Sequence, residues 1–370
     1  MLKLVPRMKT RTETFVFTPH KGATSEYHVL ISVTDPSLPF QQQLETVLQA
    51  SADASQGHTV HFRRFFLSDA ANQYPQLQEA LEKQPKVPTS VVQQEPLDGT
   101  KIALWMYCTS PMELSGGVPT NNGYAHYWTG SLLCPGQDSR EQMAGIFQQL
   151  EQGLDGLSVA DNTVRTWIFV RDVDVNYAGV VEGRKDYFNR IGLTAETHYI
   201  ASTGIEGRAP DWRNLVEMDA YSVKGLRPGQ QQYLYAPEHL SPTALYGVTF
   251  ERGTAVIYGD RRHVFISGTA SIDKKGKILH TGDVAAQTGR MLENIQALLE
   301  EAGAGFKDIG MAIVYLRDPA DYPLVKSILS RQLPSLNALF VHGPVCRPGW
   351  LVEMECIALT PEGNKAYPNY

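Results

Sequence analysis

Two acidic residues alternate with apolar ones inside a single segment near the end of the chain. Residues 351–359 (LVEMECIAL) carry Glu353 and Glu355 among hydrophobic neighbours. In a β-strand, the period of two places both carboxylates on one face of the sheet. Carboxylates on an otherwise apolar face must be paired, hydrogen-bonded or kept protonated. The segment therefore predicts either a proton-transfer site or a structural carboxylate bonded to backbone amides.

A second segment, residues 215–223 (LVEMDAYSV), repeats the pattern with Glu217 and Asp219. The elements that precede each segment also recur in one order: strand, helix, strand, helix, closing strand. This repetition predicts an α+β fold made of two tandem units, each a mixed sheet with two helices on one face. We place a degenerate first unit, with an N-terminal extension, at residues 1–230. The second unit, with the paired glutamates, is placed at residues 231–370.

Composition argues against several classes of function. The chain has 370 residues, of which 42% are hydrophobic and 19% charged, as in ordinary globular proteins. Its net charge of −6 and scattered basic residues disfavour a nucleic-acid partner. No run of about 18 apolar residues could span a bilayer, so we expect a cytoplasmic protein without a membrane partner. The histidines and four cysteines lack metal-ligand spacing, and the prediction is a protein with no metal or other cofactor.

The closing strand resembles that of the YjgF/Rid family, whose chorismate-mutase-like α+β fold ends on a pattern similar to residues 352–358 (VEMECIA). Ordinary Rid proteins are trimeric enamine or imine deaminases with a substrate-binding arginine upstream of that strand. No arginine stands at the corresponding residues 337–339, which argues against deamination.

A longer resemblance, to the chorismatases, covers most of the chain. Chorismatases are two-unit proteins of Rid-like fold that act on chorismate. The similar stretches are RTW (165–167), STGI (202–205), YGVTFERG (246–253), FISGTASI (265–272), HTGDV (280–284), VYLRD (314–318) and HGPVCRPGWLVEME (342–355). The sequence departs from the family mostly between residues 207 and 232 and in its longer N-terminus.

The resemblance implies catalytic roles for three residues. Glu353 falls on the family's catalytic acid, and desolvation between Val352 and Met354 can keep such a carboxyl protonated as a donor near pH 7. Cys346 and Gly268 match the branch that makes 3-hydroxybenzoate, whereas the hydrolytic branch has alanine at both places. Cys346 offers a weak donor or nucleophile, with an ordinary buried thiol as the alternative.

The resemblance also implies a set of substrate-binding residues. Chorismate is a dianion, and arginine forks suit its two carboxylates. The residues at family positions are Arg165, Thr203, Gly204, Tyr246, Arg252, Arg317 and Arg347. A surface ion pair is the alternative for any of the arginines, and simple packing is the alternative for Tyr246.

The predicted function is conversion of chorismate to 3-hydroxybenzoate and pyruvate, in a monomer or homotrimer with a small-molecule substrate. One alternative is a hydrolytic chorismatase that gives a dihydroxycyclohexadiene carboxylate. The other is a non-catalytic Rid-like protein that binds small molecules or acts in assembly. Glu217 shares the local sequence of Glu353 but not the family position, and it is predicted to be structural.

Overall fold

Three mixed β-sheets, each with helices, build the protein. The computed structural model describes residues 10–370, apart from the side chains of Ala244 and Tyr246. The first unit contains β1 (Thr10–Phe17), β2 (Glu26–Val33), α1 (Phe40–Ala54), β3 (Thr59–Leu67), α2 (Ala70–Glu82), β4 (Thr89–Gln93) and β5 (Ile102–Thr109). Its sheet order is β1-β2-β5-β3-β4.

The second unit follows the same plan with an added N-terminal hairpin. Its elements are β6 (Glu113–Ser115), β7 (Val118–Asn121), β8 (Tyr124–Leu132), α3 (Ser139–Gly153), α4 (Val159–Asn162), β9 (Thr163–Val170), α5 (Val173–Arg190), β10 (Ala201–Glu206) and β11 (Val216–Lys224). The sheet order is β10-β9-β11-β8-β7-β6. The β9–β10 pair is parallel, because α5 connects these two strands and returns the chain to the end of the sheet where β9 began. The other pairs in this sheet are antiparallel.

The third unit repeats the plan once more. Its elements are β12 (Gln231–Leu234), a 3₁₀ turn (Thr243–Tyr246), β13 (Gly253–Ile257), β14 (Arg262–Ala270), α6 (Val284–Glu301), β15 (Ile309–Leu316), α7 (Tyr322–Gln332), β16 (Ala338–His342) and β17 (Val352–Thr360). Short 3₁₀ turns at Phe306–Asp308 and Pro319–Asp321 precede β15 and α7. The sheet order is β12-β13-β14-β17-β15-β16.

The predicted α+β class is confirmed, but the predicted number of units is wrong. In all three sheets the last strand of the unit is inserted between the strands that flank the first long helix, so the topology is the same three times. The sequence did not reveal the first unit as a separate repeat, because its closing strand, β5, has Ala103 and Trp105 where the other two closing strands have acids. The 230/231 boundary stays a prediction, and it falls between β11 and β12.

The sheets turn their inner faces towards one another and their outer faces towards the helices. In the second unit, α3 and α5 cover an outer face that includes Ile168 and Met218. The inner faces share one large core, in which Trp105 of the first unit and Trp128 and Trp167 of the second have ring centres about 6 Å apart.

Each unit contacts the next through one repeated arrangement. Isolated backbone bridges join Gln93 to Arg208, Ile205 to Val345, and Pro96 to Val341. Each bridge connects the parallel edge of one sheet to the loop that precedes the closing strand of another unit. The chain therefore contains three related interfaces between units.

Two further findings concern classes of site. Over residues 10–370, no cluster of three or more histidine, cysteine or acidic side chains is arranged to hold a metal ion. The helices of the same range include none that is long and apolar enough to cross a bilayer.

Candidate active site

A cavity of about 520 Å³ lies at the interface between the second and third units. The second unit contributes α5 and β10, and the third contributes β14, β17 and the loops before β13 and β17. The lining residues are Tyr177, Arg184, Ser202, Gly204, Val248, Phe250, Arg252, Gly268, Ala270, Ile272, Cys346, Arg347, Trp350 and Glu353.

Glu353 is the acid of this cavity. It lies on β17 opposite Tyr315 and Ala270, and it is only 5% exposed. No described residue donates a hydrogen bond to its carboxyl group. Burial, and next the negative charge of Glu355, raise the pKa of Glu353 to about 8. A protonated carboxyl at neutral pH therefore faces the cavity and is available to a ligand.

Gly268 gives this carboxyl group its room. The residue lies in a β-bulge of β14, where the register with β17 shifts between Ile266 and Thr269. A Cβ atom on Gly268 would contact Oε1 of Glu353 and lie 2.8 Å from its Cδ. Any larger residue would therefore displace the acid.

The second unit has a serine where the third has this glycine. Ser131 occupies the bulge of β8, and its hydroxyl donates to Oε1 of Glu217. Burial, and next the charge of Asp219, raise the pKa of Glu217 to about 8 as well. Glu217 is thus the counterpart of Glu353, but its carboxyl group is capped, meaning that a protein hydroxyl already donates a hydrogen bond to it.

Glu355 lies behind Glu353 and is fully bonded. Its Oε2 atom accepts a hydrogen bond from Arg165 Nη2 at 2.6 Å and another from the Thr203 hydroxyl. Its Oε1 atom accepts one from the Tyr315 hydroxyl at 3.0 Å. Arg165 and Thr203, both predicted to bind substrate, therefore face a protein carboxylate and do not line the cavity.

Three arginines bring positive charge to the cavity. Arg252 is buried, and its Nε and Nη2 atoms donate to the Ser241 carbonyl at 3.3 and 3.0 Å. Arg347 lies 5.3 Å from the centre of the Trp350 ring. Arg184, from α5 of the second unit, is 1% exposed.

Arg184 combines full burial with an unused donor. Its Nε donates to the Thr249 hydroxyl at 3.0 Å, while its Nη2 has no hydrogen-bond partner among the described residues. A buried guanidinium donor without a partner is costly, and an anionic ligand in the cavity would satisfy it.

Cys346 and Tyr177 form one wall of the cavity. Burial, and next the charge of Glu353, raise the pKa of Cys346 to about 12, so the residue is a thiol at neutral pH. Burial also raises the pKa of Tyr177, whose hydroxyl faces Cys346. A Cβ atom on Gly204 would lie 2.8 Å from Cε2 of Tyr177, so Gly204 makes room for the ring. This wall offers weak donors and no ready nucleophile.

The structure groups the predicted residues in three ways. Glu353, Gly268, Cys346, Gly204, Arg252 and Arg347 line one cavity. Arg317 lies outside it, since its Nη1 and Nη2 atoms donate to Asp174 at 2.9 and 2.8 Å and Nη2 also donates to the Val345 carbonyl. The side chain of Tyr246 lies outside the described residues.

Sequence reasoning missed the two residues that α5 contributes, Tyr177 and Arg184. They are seven positions apart, which places them on one face of a helix two turns apart. That spacing was visible in the sequence, but only the interface between units shows that this face meets the third unit.

Three comparisons with known proteins bear on this chain. A family model described as endoribonuclease L-PSP matches residues 254–360. The 3-aminoacrylate deaminase RutC of Acinetobacter baylyi is 33% identical over 97 residues, which are 26% of this chain and 77% of RutC. A RutC family protein of Pyrococcus abyssi is 36% identical over 97 residues, 26% of this chain and 76% of its own length.

One solved structure extends the likeness to most of the chain. A chorismatase crystal structure superposes with a TM-score of 0.65 and 18% identity, and the match covers 92% of this chain and all of the chorismatase. At this identity the comparison shows a shared fold.

Proposed function

Because the chain belongs to the endoribonuclease L-PSP family of RutC-like proteins through its third unit, we propose that it is an enzyme that converts chorismate to 3-hydroxybenzoate and pyruvate. The observation that carries the proposal is the carboxyl group of Glu353, which is buried, uncapped and protonated near neutral pH in a cavity with three arginines. The fold shared with a chorismatase over 92% of the chain supports the choice of substrate.

The first step is transfer of the Glu353 proton to the enolpyruvyl methylene, which becomes a methyl group. The neighbouring ether carbon becomes a cation stabilised by its oxygen, and the bond between that oxygen and the ring breaks to release pyruvate. A hydroxyl of the ring then migrates to the vacated carbon, and loss of one ring proton to the Glu353 carboxylate makes the ring aromatic. No water is consumed, and the acid is restored for the next turnover.

The arginines hold the two carboxylates of the substrate. Arg184, Arg252 and Arg347 come from three different segments around the cavity, so they can bind a dianion at two ends. The unused Nη2 donor of Arg184 is the strongest candidate for a direct carboxylate contact. Arg317 is assigned a supporting role, because it holds the Val345 carbonyl next to Cys346.

Gly268 and Cys346 are proposed to decide the product. The absence of a side chain at Gly268 leaves space for the Glu353 carboxyl group beside the ring, where it receives the ring proton. Alanine at this place would push the carboxyl group into the cavity and change where the ring lies. A displaced ring would leave space for water, and attack by water gives the dihydroxycyclohexadiene acid.

The internal interfaces favour the monomer over the homotrimer. All three inter-unit interfaces are formed within one chain, and the candidate site is completed by α5 of the second unit. We therefore propose that a single chain is sufficient for activity.

Deamination of a small enamine is the second candidate, favoured by the 33% identity of the third unit to a 3-aminoacrylate deaminase. Both reactions begin with protonation of an electron-rich double bond, so one acid could serve either. Incubating the protein with chorismate, and separately with an enamine generated in situ, distinguishes the two candidate reactions. Chromatography of the aromatic product with a coupled pyruvate assay is expected to be positive, and release of ammonia with no reaction of chorismate would refute the proposal.

A further inference from the structure

Glu355 is held in one position by groups from three strands. Arg165 on β9, Thr203 on β10 and Tyr315 on β15 all donate to it, and the Thr203 hydroxyl also accepts the Gly268 N–H at 2.9 Å. With Arg165 as its counter-ion at 2.6 Å, Glu355 is an ionised carboxylate. It lies two residues from Glu353 on the same face of β17, but it does not line the cavity.

The second unit builds the same arrangement, and Arg64 links the two, since its Nη2 atom lies 2.8 Å from Asp219 and its Nη1 atom 3.8 Å from Oε1 of Glu355. Asp219, two residues after Glu217, accepts from Arg64 Nε at 2.9 Å and from the Ser131 N–H at 2.8 Å. As with Glu355, the arginine comes from the preceding unit. In the first unit the two positions are Ala103 and Trp105, so the acid and its fixed neighbour are absent together.

We propose that Glu355 is a positioning residue whose fixed charge keeps Glu353 protonated near neutral pH, so that it, and not burial alone, sets the upper pH limit of the acid. The consequence for turnover rests on the proposed function, whereas the effect on the protonation of Glu353 does not.

The surroundings of Glu353 determine the sign of the effect. The titratable or charged groups that face it are Glu355 on β17, Arg165 on β9, Tyr177 and Arg184 on α5, Arg252 before β13, and Cys346 and Arg347 before β17. Arg165 and Arg252 lower the pKa of Glu353, whereas the charge of Glu355 raises it. Removing that charge also leaves Arg165 without a counter-ion, and both changes make Glu353 more acidic.

The test is the Glu355→Gln variant, studied by NMR with ¹³C-labelled glutamate carboxyl groups. The Glu353 signal is identified by its loss in Glu353→Gln. We expect its titration midpoint to fall by about one pH unit or more relative to the wild type, the scale of a close charge. The alkaline limb of the turnover profile should move by the same amount, and this second readout depends on substrate whereas the first does not.

Asp219→Asn is the matched control in the second unit. It should lower the midpoint of Glu217 and shift that of Glu353 much less than Glu355→Gln does, since only Arg64 connects the two sites. A folded Glu355→Gln variant with an unchanged Glu353 midpoint would overturn the inference. If that variant does not fold, Arg165→Met with Glu355→Gln removes the buried pair together, and the midpoint should still fall, by less, because the two lost charges act in opposite directions. An unchanged or raised midpoint in this double variant would also overturn it.

Discussion

Replacing Glu353 with glutamine should give a protein whose stability exceeds that of the wild type by more and more as the pH rises. The same change should strongly reduce turnover. Glutamine keeps the shape of the side chain but cannot ionise. In the wild type, the folded state holds a proton that the unfolded state releases, because the pKa of Glu353 rises from 4.5 to about 8 on folding. The stability from this group is complete below pH 4.5 and is lost as the pH rises towards 8.

The magnitude follows from the size of that shift. One pKa unit corresponds to about 1.36 kcal/mol, so the full shift from 4.5 to about 8 is about 5 kcal/mol in the free energy of unfolding, of which about 4 kcal/mol falls between those two pH values. The variant has no such loss. The difference in stability between Glu353→Gln and the wild type should therefore grow by roughly 4 kcal/mol between pH 4.5 and 8, and level off above pH 8.

Urea unfolding of both proteins at pH 5, 6, 7 and 8 measures this difference. Over the same range, kcat on chorismate should fall by roughly 10²- to 10⁴-fold in the variant, as for a lost general acid. Glu217→Gln is the matched control, since it has the same pKa shift without a place in the cavity. It should reproduce the stability gain and keep turnover. A stability difference that does not change with pH would refute the assigned protonation state, and near-normal kcat would refute the catalytic role.

Three other predictions follow from the same geometry. Alanine at both Gly268 and Cys346 should shift the product from 3-hydroxybenzoate towards the dihydroxycyclohexadiene acid; an unchanged ratio by chromatography would contradict the steric argument. Arg184→Gln should raise KM for chorismate by roughly 10- to 100-fold, the scale of one charge-assisted hydrogen bond, and unchanged KM would exclude that contact. Burial lowers the pKa of His28 and His61 to about 3, so stability should fall as the pH drops from 6.5 to 3, and calorimetry of Asn variants should show a weaker decline.

The repeat in the sequence predicted two units because it was detected through acids. The pairs Glu353–Glu355 and Glu217–Asp219 made the second and third closing strands recognisable. The first closing strand has the same hydrophobic pattern but no acid, and apolar strands of similar length are alike in any sheet. The third sheet was therefore visible only in the topology.

The candidate site was predictable on one side only. Residues on β14, β17 and their loops belong to the unit with the strongest resemblance, and Glu353, Gly268, Cys346, Arg252 and Arg347 do meet in one cavity. Contacts between units depend on how sheets pack, which local sequence patterns do not encode. For that reason α5 was not expected at the site, and the engagement of Arg165 by Glu355 was not foreseen.

The three interfaces show what distinguishes a candidate active site from its copies. At the interface of the first and second units the acid is Glu217. The Ser131 hydroxyl donates to its Oε1 atom, and its Oε2 atom is buried without a partner among the described residues. At the interface of the third and first units a groove is open, but its equivalent residue is Ala103, which has no proton to give. Between the second and third units, Gly268 leaves an acid both present and uncapped. A protonated acid and open space beside it are each found elsewhere in this chain, and only their combination can deliver a proton to a bound ligand.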